Sequence, residues 1–183
     1  RKKAKTINLG LFYGMGKGKL SSELGLTPGQ AEDLFEKYHS RVPFVKEMIE
    51  RTMKKASDVG HVRTLLGRKC RFDMWEPSRY GVHRPLPRDQ AEREHGKQIR
   101  RAFTYKALNK IIQGSAADMT KQAMVNLYDE GIVPHIQVHD ELDCSFADEK
   151  EKDKIMDIMK SCVELEVPVK LDCEVGPSWG EAK

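Results

Sequence analysis

The chain has 183 residues, of which 39% are hydrophobic and 33% charged, with a formal net charge of +4; this describes a soluble globular protein long enough to bury a core. No apolar run approaches the roughly 18 residues that a bilayer span needs, and no basic-then-apolar leader precedes a cleavage site, so a membrane role is excluded and a cytoplasmic location expected. Cys70, Cys144, Cys162 and Cys173 form no C-x-x-C pair and lie far apart, which argues against zinc and a disulfide framework and for reduced, mostly core thiols.

The charge is divided along the chain. Arg1 to Lys110 holds 25 basic and 12 acidic residues, and Ile111 to Lys183 holds 7 and 16. That is +13 against −9, which suggests a polyanion held by the first part and metal chemistry performed by the second. Solvated helix surfaces would give the same charges without either role.

Taken in chain order, Arg1-Lys2-Lys3-Ala4-Lys5 opens an amphipathic helical segment that runs to Met15-Gly16, without an initiating methionine, as in a fragment or processed piece. Gly14, Gly16 and Gly18 end the helical pattern. Thr27-Pro28-Gly29-Gln30 supplies an N-cap, a proline at the first helical position and a capping-box glutamine. Leu34, Phe35, Tyr38, Val45, Met48, Ile49 and Met53 then recur at helical spacing, predicting two helices broken near Pro43.

His61 to Leu66 reads as a short extended or hairpin element, closed by Gly67 and followed by the basic Arg68, Lys69 and Arg71. Residues 75–87 read as a surface loop, and 88–130 as one kinked helix or two. Residues 135–146 form a hairpin pattern. A helix over 148–166 carries the apolar stripe Ile155, Ile158, Met159, Cys162 and Val163, and alternation through Val167, Val169, Leu171, Cys173 and Val175 predicts a half-buried strand over 167–175. The fold class is α+β: a helical part, then a small antiparallel sheet packed on helices.

At the tip of the 135–146 hairpin stand His139, Asp140 and Glu141. Adjacent carboxylates repel unless a cation neutralises them, so a metal site is the leading reading of Asp140 and Glu141. In the opening segment Arg1, Lys5, Leu9 and Tyr13 are four apart and lie along one helical stripe. Two cations, an apolar body and a phenol on one face suit a nucleoside triphosphate; the same spacing suits core contacts beside a solvated edge.

The ordered set Arg1-x3-Lys5-x7-Tyr13-Gly14, Asn109-x3-Gln113-Gly114-Ser115-Ala116-Ala117-Asp118, Gln137-Val138-His139-Asp140-Glu141 and the tail Val175-Gly176-x2-Trp179 resembles the family A DNA polymerases, the bacterial DNA polymerase I group and its phage relatives, over essentially the whole chain. The resemblance implies fingers helices over 1–59 and part of the palm over 60–183. It implies DNA-directed DNA synthesis by a two-metal mechanism, with primer-template DNA and a dNTP as partners, in a bacterial cell or phage-infected host. Arg1 and Lys5 would bind the triphosphate, Lys5 also giving a proton to the leaving pyrophosphate. Leu9 and Tyr13 would meet the nucleotide, Tyr13 holding the template base position before closure. Asn109 and Gln113 would touch the minor groove, His139 the primer terminus, and Arg68 the DNA. Asp140 would be a metal-binding aspartate with Glu141 in support.

Two departures stand out. Leu9 replaces a usual aromatic, and Tyr105 stands where the bacterial enzymes carry an arginine, so that Arg100 and Arg101 become the candidates for its phosphate contacts. The family's other metal-binding aspartate, which would complete the site for two Mg2+ ions, is expected outside this chain. An N-terminal polymerase portion, in the same polypeptide or a separate chain, would supply it. A single-subunit RNA polymerase shares the helix logic but usually has serine where Glu141 stands; a non-catalytic DNA-binding module that retains the fold is the other alternative.

Overall fold

A computed structural model describes residues 2–79 and 81–182, apart from the side chains at positions 2, 3 and 6. The chain divides into two compact units, residues 1–112 and 113–183. The division falls within one long helix rather than at the expected fingers–palm boundary after residue 59, which stays an expectation.

In the first unit, α1 (Lys2–Phe12) is followed by α2 (Lys17–Leu24), α3 (Pro28–Arg41) and α4 (Pro43–Val59). The α3 start is the expected capping box: the Thr27 hydroxyl accepts from the Gln30 amide at 3.3 Å, and the Gln30 side chain accepts from the Thr27 amide at 3.0 Å. Two otherwise orphaned helix-end donors are satisfied together. Pro43 cannot donate and disfavours helical dihedrals at Val42, which sits at φ −130° and ψ 64°; α3 therefore stops and α4 starts. Gly60 ends α4 at φ 77°, and its missing Cβ leaves room for the Arg101 guanidinium, whose carbon would lie 2.6 Å from a β-carbon there.

The α2 helix was not anticipated from the glycine-rich stretch. Its Gly18 costs about 1 kcal/mol against alanine, and the complete burial of Leu20 offsets it.

After α4 come β1 (His61–Arg63) and β2 (Lys69–Arg71), the expected hairpin, with Arg63 opposite Lys69 and His61 opposite Arg71. Ala56, Val62, Phe72 and Ala107 form a core beneath it, with Cys70 and Ile111 packed alongside. The next stretch corrects the expectation of a plain loop over 75–87 and of one kinked helix or two over 88–130, because strands stand in both. Here β3 (Met74–Pro77) pairs antiparallel with β4 (Leu86–Pro87) on one edge and with β5 (Ile99–Arg101) on the other, with α5 (Arg88–His95) between. Gly96 ends α5 at φ 69°, and the Arg- and Gln-rich segment beyond it satisfies its backbone against β3. Long polar side chains are compatible with helix and strand alike, so pairing decides.

The long helix α6 (Ala107–Asp129) leads to the second unit, which holds β6 (Ile136–Val138), β7 (Glu141–Asp143) and α7 (Glu149–Ser161). Its core is Leu127, Ile132 and Ile155, flanked by Leu142, Cys144 and Phe146. Asp148 caps α7 by accepting from the Glu151 amide at 2.9 Å. The helix expected over 148–166 is thus shorter, and the strand expected over 167–175 is absent: the segment takes no regular structure, with Val167, Cys173 and Val175 exposed. Alternation marks a chain able to pair, and among the described residues no strand pairs with it. All four cysteines are free, and Cys173 is exposed rather than in the core.

Candidate active site

The acidic tip is built by a tight hairpin. Val138 pairs with Glu141, so His139 and Asp140 alone make the turn. His139 takes φ 55°, the left-handed region that non-glycine residues seldom occupy, and the Gln137 side-chain amide donates to its carbonyl. Strain of this kind, roughly 1–3 kcal/mol, persists where the surroundings over-determine it and clusters at functional turns. Asp140 and Glu141 both face solvent. The hairpin base is tied by the His135 amide to the Asp143 carbonyl at 2.8 Å and by the His135 ring to the Ser145 hydroxyl at 3.0 Å.

Beside the hairpin runs a groove of about 560 Å³, lined by Val138, Leu142 and Cys144 on the hairpin side, Ile155 of α7 and Leu171 and Cys173 of the irregular segment after it, and also by Asp140 and Glu141. Burial first, and the neighbouring Asp143 carboxylate second, push the Cys144 thiol up from its ordinary range.

The residues fit a magnesium contribution, though an incomplete one. Carboxylate oxygens on a held turn are the donors Mg2+ prefers, and it keeps water or phosphate in its remaining positions. Among the described residues no three His, Cys, Asp or Glu side chains gather into a fuller cluster.

In the first unit, Lys5 and Leu9 face solvent on α1, Leu9 at 46% exposure, whereas Leu11 is fully buried. Tyr13 continues the helical turn through its amide to the Leu9 carbonyl at 3.0 Å, half-buried with its ring edge-on to Phe12. Gly14 turns the chain at φ 79°, with the Tyr105 carbonyl 3.8 Å from where a β-carbon would stand. Arg1 lies outside the described residues. The Lys5–Leu9 face and the acidic hairpin belong to different units.

On α6, Gln113 is exposed. The Asn109 side-chain oxygen is buried and lacks a hydrogen-bond partner among the described residues, the kind of orphan that needs a reason. Arg68 is exposed on the basic hairpin, its amide held by the Thr64 hydroxyl at 3.1 Å. Arg100 pairs with Glu76 at 2.9 Å. Arg101 donates to the Ser57 and Phe72 carbonyls at 3.2 and 2.9 Å and stacks on Trp75, which also carries Arg88. Its guanidinium is thus engaged in joining α4, Phe72 just past β2, and β3. What sequence reasoning missed is that Arg63, Lys69 and Arg71 share one outward face; the spacing of a two-residue period across the Gly67 turn was the signal.

The fold is that of part of a polymerase domain. The polymerase domain of Pol1 from M. smegmatis, solved in complex with DNA primer-template and dNTP, superposes with a TM-score of 0.69 at 29% identity, covering 92% of this chain and 28% of that one. The sequence model described as DNA polymerase family A matches residues 1–181, and the chain belongs to that family. It is 34% identical to a DNA-directed DNA polymerase of Pseudomonas phage M6, covering 100% of this chain and 29% of the relative. It is 36% identical to a thermostable DNA polymerase I of Thermus filiformis, covering 100% of this chain and 21% of the relative. The chain thus spans less than a third of the length of these relatives. Among the described residues no helix is long and apolar enough to cross a membrane.

Proposed function

We propose that this chain is the distal fingers and C-terminal palm of a DNA-directed DNA polymerase, which transfers a nucleotide from a dNTP to a primer 3′-OH on a template. The observation that carries this reading is the family match over residues 1–181, with the motif carboxylates Asp140 and Glu141 exposed on a strained hairpin tip.

Arg1 and Lys5 hold the triphosphate, Arg as a fork and Lys as a point charge. The 3′ hydroxyl gives up its proton to water, its oxygen forms a bond to the α-phosphorus as the α–β bridge bond breaks, and Lys5 gives a proton to the departing pyrophosphate, regaining one from water afterwards. Asp140, with Glu141 beside it, would hold magnesium, which when bound stabilises the charge developing on the transferring phosphoryl group. His139 sits by the primer terminus. Tyr13 fills the template base position until the fingers close, and Leu9 packs on the incoming nucleotide with less area than an aromatic. Asn109 and Gln113 test pair geometry through minor-groove acceptors, which correct pairs present at near-equivalent places. Arg68, Arg100 and Arg101 belong to the DNA-facing set, with Arg100 and Arg101 standing in for the arginine that Tyr105 replaces; their release from Glu76 and the backbone carbonyls would accompany that role.

A further aspartate from the remainder of the polymerase completes the two-metal site. The groove beside β7 supports this: on one side lies a strand, on the other the 167–175 segment, which has a strand's alternation and pairs with no strand among the described residues. A strand of the remaining polymerase set between them would convert hairpin and segment into one sheet and bring its carboxylate beside Asp140. Primer extension on a primed template tests the reading. The 183-residue chain alone yields no product, and in the complete polymerase Lys5→Ala lowers kcat by about 10²-fold or more, the usual worth of a positioned proton donor. Synthesis by the isolated chain, or an unimpaired Lys5→Ala enzyme, contradicts it.

A further inference from the structure

The β1–β2 ribbon has one face in the core and one in water. Val62 and Thr64 are buried, Val62 opposite a half-buried Cys70, while the alternate positions Arg63, Lys69 and Arg71 are exposed and His61 is half-exposed. The outward pairs are Arg63 with Lys69 and His61 with Arg71. Like charges directly opposite across two strands, as Arg63 and Lys69 are, destabilise the pair rather than support it. Among the described residues no carboxylate forms an ion pair with any of the four, although the same unit pairs Lys54 with Asp58 and Arg100 with Glu76.

The ribbon's tip is equally unusual. Leu65 and Leu66 stand at 50% and 47% exposure, side by side, on a turn that is held rather than loose. The Thr64 amide donates to the Arg68 carbonyl and the Gly67 amide to the Thr64 carbonyl, both at 3.0 Å. The Arg63 guanidinium donates to the Gly67 carbonyl at 2.6 Å, and Gly67 adopts φ 85°. A rigid apolar tip flanked by unneutralised cations matches a surface that is both anionic and lined with flat apolar faces. A nucleic-acid strand offers both, as phosphates spaced along its backbone and as bases or sugars beside them.

We infer that the outward face of the β1–β2 ribbon is a DNA-backbone clamp: His61, Arg63, Lys69 and Arg71 meet phosphates, and Leu65 and Leu66 press on the sugars or bases between them. This rests on the reading that the protein works on DNA, and it adds a surface that is separate from the nucleotide helix and the carboxylate tip. The ribbon is anchored by Ala56, Phe72 and Ala107 beneath it, so removing its outward side chains leaves the packing intact.

The test measures anisotropy of a labelled primer-template duplex titrated with the 183-residue chain, in EDTA, over a series of salt concentrations. Each phosphate contact adds about 0.9 to the slope of log affinity against log salt. The triple variant Arg63→Ala, Lys69→Ala, Arg71→Ala is expected to lose about 2 to 3 from that slope, with the circular dichroism spectrum of a folded chain retained at the assay temperature. Leu65→Ala with Leu66→Ala weakens binding several-fold at every salt concentration and leaves the slope alone. Asp140→Asn keeps the full slope, so failure of the carboxylate assignment is read separately, by primer extension with the complete polymerase. An unaltered slope in the folded triple variant overturns the proposal, as does a wild-type chain that binds no duplex at low salt.

Discussion

The β1–β2 and β6–β7 hairpins have the same plan, three residues a strand and an antiparallel register, and opposite character. The β1–β2 hairpin buries Val62 in a core, whereas all three β6 residues are exposed, including Ile136 and Val138. The first is anchored on its core and carries its charge outward as a binding face. The second joins the apolar, exposed β6 to an acidic β7 that packs on its core through Leu142, and among the described residues nothing covers β6, a liability that proteins usually cover. The comparison teaches that context decides what exposure means: an apolar strand with an uncovered face, as in β6, is short of packing, whereas an apolar tip on a held turn beside like charges, as at Leu65 and Leu66, is what the proposed DNA contact would use.

Substitution breaks this comparison most strongly at the paired valines. Val62→Asp places an unpaired charge in a dry core and is expected to cost about 3–5 kcal/mol, enough to unfold the first unit. Val138→Asp, on the exposed strand, changes the stability of the isolated chain by roughly 0.5 kcal/mol or less. In the complete polymerase Val138→Asp is expected to be strongly destabilising instead, because the covering strand buries it. Denaturant melts of the two variants in both contexts check the contrast; equal effects of Val138→Asp in the two contexts would mean that nothing covers β6–β7.

Arg101→Ala sharpens the account of how the first hairpin is held. It removes two charged hydrogen bonds to backbone carbonyls and the stack on Trp75, for an expected loss of about 2 kcal/mol. Thr27→Ala, which deletes the α3 cap far from either hairpin, is expected to cost about 1 kcal/mol. Equal losses from the two would remove Arg101's special role.

The smallest effect concerns thiols beside the second hairpin. Burial holds the Cys144 pKa above its ordinary range, so at a given pH less of it is thiolate, and Cys173 is exposed. Iodoacetamide should modify Cys173 first, with Cys144 gaining reactivity only as pH rises. Simultaneous labelling at pH 8 would show that the groove is open to reagents and that its burial is overstated.

How much was legible in the sequence follows from the locality of each signal. The α3 cap, the Pro43 break, both hairpins and the α7 stripe were legible because capping, proline sterics and short periodicities act within a few residues. The strands β3 and β5 were not, since their pairing joins Trp75 to Arg101 across a helix and nothing local announces it. The 167–175 alternation was read as a strand, yet a strand needs a neighbour, and the described residues offer none. Of the candidate site, the hairpin that carries His139, Asp140 and Glu141 was legible as a hairpin. That Arg101 is taken up by backbone carbonyls and that Arg63, Lys69 and Arg71 share one face required coordinates.

The central claim is that the tip of the second hairpin carries the chemistry. Primer extension by the complete polymerase carrying Asp140→Asn, against Asp143→Asn three residues on, tests it most directly. The account predicts that Asp140→Asn lowers kcat by about 10²-fold or more while primer-template affinity holds, comparable to removing one preorganised electrostatic partner, and that Asp143→Asn extends primers normally. Normal extension by Asp140→Asn would contradict it.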